Sequence, residues 1–173
     1  MTKSFIQYTL SFIVLVIAQV LIFNHICIFN IAIPYIFIIF IILLPVTINL
    51  NWLIALSFLM GFSVDIFSDT LGMNALACTL LSVLRKPIFN TFIPRENDLD
   101  NPIPSIRNIG VPAFVKYSAL ITIVYCLLIT VIQMFSFDKI GLLTARFIGS
   151  SILTFLIIWG IASLIDSGRE KKL

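Results

Sequence analysis

Charge is what this chain has least of. Asp, Glu, Lys and Arg make up 11% of its 173 residues, and there is one histidine. Charged groups this few, and clustered as they are here, cannot clothe a soluble domain of this length. The three cysteines, Cys27, Cys78 and Cys126, are odd in number and far apart. They form neither a disulfide framework nor a CxxC zinc site, and read as small hydrophobes. His25 has no HExxH around it, no glycine-rich phosphate loop occurs, and Gly61-Phe62-Ser63-Val64-Asp65 lacks the second glycine of a GxSxG elbow. No catalytic group, cofactor, metal or nucleic-acid partner is expected.

What the chain has in quantity is apolar length. Hydrophobic residues make up 60% of it, and the mean hydropathy is +1.13. Apolar windows cover residues 5–23, 31–46, 52–67, 71–84, 117–137 and 142–165. They predict an all-α integral membrane protein of one domain with six transmembrane helices. The first window follows Lys3 but is too long for a signal peptide's apolar region and has no small-x-small cleavage pattern, so it reads as a retained span.

The fourth window is short for a crossing, and charge argues for it. With six spans and both termini cytoplasmic, Lys3, Arg85, Lys86, Arg95, Arg107, Lys116, Arg169, Lys171 and Lys172 fall inside and Lys139 outside, as the positive-inside rule requires. Arg85 and Lys86 are expected to snorkel and so extend the end of that helix. Residues 86–116, with Pro87, Pro94, Pro102, Pro104 and Pro112 and the acidic Glu96, Asp98 and Asp100, read as a cytoplasmic loop. Pro34 is harmless at the start of the second span, whereas Pro45 should bend or end it.

Gly141, Ala145 and Gly149 recur at intervals of four in the last window, so they share one face and predict a groove for close helix packing. Two carboxylates also fall among apolar residues. Asp69 sits in the turn after the third span, where it, Ser68 or Thr70 is expected to cap the fourth. Asp65 lies just inside the third span, where an ionisable group needs water or a partner. Arg146, about 6 Å into the sixth span from its outer end, is the partner expected; separate snorkelling of the two groups is the alternative.

The stretch Gly61, Asp65, Ile66, Phe67, Leu71, Gly72, Asn74, Ala75 and Leu76, set between the third and fourth of six spans in a chain of this size, resembles the rod shape-determining protein MreD family. That resemblance implies a non-enzymatic subunit of the bacterial cell-elongation machinery in the inner membrane, working in lateral peptidoglycan synthesis. Its partners would be an MreC-like bitopic membrane protein, an MreB-like actin filament, and a RodA-type glycosyltransferase with its transpeptidase. It also implies a fold similar to the substrate-binding subunits of energy-coupling-factor transporters, which makes a vitamin-binding transporter subunit the second reading. Those subunits dock through an Ala-x-x-x-Ala pattern on the first helix, and here Ala18 is flanked at that spacing by Val14 and Ile22. A membrane enzyme using Asp65 is a third and weaker reading.

Overall fold

The computed structural model describes residues 2–23, 32–70, 72–92, 104–134 and 140–170. Among them the chain is helical, without a strand. Helix α1 (Thr2–Ala18) runs on as a π-helical turn, Gln19–Phe23. After it come α2 (Ile38–Leu43), α3 (Leu50–Ser68), α4 (Met73–Phe92), α5 (Ile106–Ile109), α6 (Val111–Met134) and α7 (Ile140–Glu170). Among the described residues four helices are long and apolar enough to cross a membrane, over 6–23, 50–68, 111–134 and 143–165.

Helix α4 stands between α3 and α6, and α6 packs in turn on α7. Its inward residues Asn74, Cys78, Leu81, Arg85 and Phe89 are spaced three or four apart, which places them on one helix face. On α3, Leu53, Ser57, Met60 and Val64 do the same. The opposite faces are as apolar as the core: Ile6, Leu10, Leu21, Phe67, Leu127, Ile152 and Leu164 are all at least half exposed. A water-soluble protein does not expose so much apolar surface, whereas hydrocarbon accepts it. Several serine and threonine hydroxyls inside the long helices turn back onto their own backbone, as Thr79 does to Ala75 O, Thr122 to Ser118 O and Thr130 to Cys126 O. Hydroxyls so satisfied suit a lipid setting.

The second apolar window departs from its expected helix. Of residues 31–46, only Ile38–Leu43 form one, and Ile33–Tyr35 run without regular structure. Among the described residues this segment is nonetheless deeply buried, with Ile36–Ile42 and Leu44 each no more than 5% exposed. A non-helical backbone can lie at that depth only if other groups take its hydrogen bonds. Three side chains do so. Gln19 donates through Nε2 to Pro34 O and accepts the Ile36 N–H at Oε1, 2.9 and 2.8 Å. Ser150 Oγ and Thr154 Oγ1, one turn apart on α7, accept the N–H groups of Ile33 and Tyr35, both at 3.0 Å. The π-helical turn begins at the very residue, Gln19, whose amide clasps the segment. Leu44, ahead of Pro45, has ψ 146, so the proline ends α2 as expected.

The proline-rich region is less of a loop than its composition implies. Helix α4 continues through Pro87 to Phe92, and α6 starts at Val111, with Pro112 in its first turn, where its missing N–H does no harm. Arg95, Glu96, Asp98 and Asp100 lie outside the described residues.

Candidate functional site

The tightest polar cluster lies where α3 turns back into α4. Helix α3 ends at Ser68 because Asp69 takes the left-handed conformation, φ 53 and ψ 36, with its N–H bonded to Asp65 O. Gly72 follows at φ 75. At such a φ a side chain is strained, and Gly72 carries the chain into α4 without that strain. The two helices then cross at minimal distance. A Cβ on Gly61 would stand 2.5 Å from Asn74 O and 2.7 Å from the Ala75 Cα, both backbone atoms, so only glycine fits there.

That closeness brings the Asp65 carboxylate, 4% exposed, to the start of α4. Its Oδ2 accepts the Ala75 N–H at 2.8 Å; its Oδ1 accepts the Asn74 N–H at 3.1 Å and the Asn74 amide at 2.8 Å. The Thr70 hydroxyl donates to the same Oδ1. Asn74 in turn accepts at Oδ1 from the Tyr125 hydroxyl of α6, 2.6 Å away. Asp65 thus caps α4 across the hairpin, satisfying two of the N–H groups that any helix leaves open at its start and placing a negative charge at the positive end of the dipole.

This corrects two expectations. Asp69 does not cap α4; its side chain is exposed and its backbone terminates α3. Nor does Arg146 reach Asp65, whose oxygens are taken by Thr70, Asn74 and Ala75. Arg146 is half-buried on α7, with its Nε buried and unbonded. The small-residue face of α7 divides as well. A Cβ on Gly149 would stand 3.0 Å from the Ala32 Cβ, so this end of the groove is filled by the buried segment, whereas Gly141 and Ala145 are exposed and Gly141 has open space before it.

A second cluster surrounds Arg85. Instead of snorkelling outward it is 3% exposed. Its Nε donates to the Tyr117 hydroxyl at 3.1 Å, Nη1 to Pro45 O at 3.4 Å, and Nη2 to the carbonyls of Ile42 and Leu44. The guanidinium therefore closes the C-terminal end of α2, where unpaired carbonyls and the negative dipole end favour a cation. Lys86, next along the helix, is exposed as expected.

Sequence reasoning did not single out Gln19, Tyr125, Ser150 or Thr154 as structural ligands. Their signal is present all the same: each is a polar residue inside an apolar window, and Ser150 and Thr154 are spaced to share a helix face. Comparison with known protein families, with characterised proteins and with solved structures finds no match to this chain.

Proposed function

We propose that this chain is a non-enzymatic, polytopic subunit of the bacterial inner membrane that scaffolds the cell-elongation machinery, as its resemblance to the MreD family implies. The observation that carries this reading is the use made of the resembling residues. Gly61, Asp65, Gly72, Asn74 and Ala75 meet in one hairpin joint, where the carboxylate acts as a helix cap. A joint of this kind fixes the angle between two membrane helices, and a fixed angle is what a scaffold presents to partner helices. In this reading α1, the segment 32–44, α3, α4, α6 and α7 make six crossings, with both termini in the cytoplasm and the Asp69 turn outside.

Depletion in a rod-shaped host tests it. Cells should round up or swell, and mild detergent should co-extract a single-span, coiled-coil partner of the MreC kind. Normal rods on full depletion would overturn the reading. The alternative, a substrate-binding subunit of a vitamin transporter, draws on the irregular segment 32–37, because broken helices recur at transporter binding sites. It predicts a copurifying ATPase pair and vitamin uptake on expression.

A further inference from the structure

Arg85 holds a full positive charge at a depth where all four of its hydrogen-bond acceptors, the Tyr117 hydroxyl and three carbonyls, are neutral. A guanidinium has five N–H groups, and these bonds leave one on Nη1 without an acceptor among the described residues. Beside it opens a cavity of about 30 Å³, walled by Arg85 and the apolar Val46, Ile48, Leu53 and Phe89, with exposed Lys86 at its rim. Two cations of adjacent residues therefore line one notch, and among the described residues no carboxylate lines it.

We propose that this notch binds a phosphate-bearing anion, the headgroup phosphate of an acidic phospholipid being the source that the apolar walls favour. A buried cation is stabilised by an anion that shares its low-dielectric surroundings, and the free N–H on Nη1 supplies one charge-assisted hydrogen bond. Lys86 supplies a second, as a mobile point charge that can follow the ligand. At about 30 Å³ the cavity is too small for a nucleotide or a vitamin, so only an anionic group at its mouth could meet both cations. Basic notches between membrane helices on the cytoplasmic side recognise acidic headgroups in this manner. The site rests on the membrane reading and on no particular partner.

The test uses the full chain in nanodiscs of phosphatidylcholine, with or without phosphatidylglycerol, and in detergent with inorganic phosphate. Thermal unfolding is followed for the wild type, for Lys86→Glu, and for Lys116→Glu as a charge-matched control off the notch. The midpoint is expected to rise with phosphatidylglycerol, the rise being lost in Lys86→Glu and kept in Lys116→Glu. A rise with inorganic phosphate that Lys86→Glu abolishes would assign the site to free phosphate instead. Equal midpoints in both lipids with no effect of phosphate, or equal loss in both variants, would overturn the site. Failure to enter nanodiscs at all would strike the membrane reading, on which the site depends.

Discussion

Replacing Asp65 with asparagine keeps the side chain's shape but turns one acceptor oxygen into a donor, facing groups that all donate: Thr70, Asn74 and Ala75. A buried donor left unpaired costs about 1–3 kcal/mol, and more where a charge is lost. The unfolding midpoint of Asp65→Asn in mild detergent is expected to fall accordingly. Asp69→Gly should leave it unchanged or raise it, since the exposed side chain has no bond to lose among the described residues and φ 53 suits glycine. Gly61→Ala is the sharper case. Its methyl would meet backbone on the facing helix, which cannot rotate away, so the hairpin must open. Overpacking of that kind costs about 1–3 kcal/mol, against little for Gly141→Ala, which faces open space. Equal midpoints for the two glycine variants would contradict the close crossing.

Helices were legible at the element scale where an apolar run is long and continuous. The windows 52–67, 117–137 and 142–165 lie largely on α3, α6 and α7. The segment 31–46 was not legible, because a continuous apolar run records burial on all sides without recording backbone form. Its form is set by Gln19, Ser150 and Thr154 elsewhere in the chain. The capping of α4 was misread for a related reason. Local spacing favours Asp69 in the turn, and only the close crossing at Gly61 brings Asp65 within reach. Arg85 was misread because its acceptors, the carbonyls at the end of α2, have no signature in sequence. Thr154→Val should expose this dependence. It keeps the volume and leaves the Tyr35 N–H without its acceptor, at an expected loss of about 1–3 kcal/mol. Denaturation in detergent measures it, and an unchanged midpoint would mean the segment is held by other means.

The proposed six crossings make a prediction for the whole molecule that hairpin geometry alone does not. Single cysteines at Thr47 and Asp69, both exposed, stand at opposite ends of α3. In a background without Cys27, a membrane-impermeant maleimide should label Asp69→Cys in intact cells, and Thr47→Cys only after permeabilisation. Labelling of both from outside would reject the orientation.

The clasp on the second segment also sets a schedule. Its N–H groups at Ile33 and Tyr35 are answered by residues 117 and 119 positions later in the chain. While the ribosome is still making the intervening helices, those amides have no acceptor and cannot rest in hydrocarbon. The segment must wait in water or in the insertion machinery, and its final seat forms only when the last helix arrives. A chain truncated before Ser150 should therefore be cleared by membrane proteases instead of persisting as a shorter bundle, since the element made second is finished last.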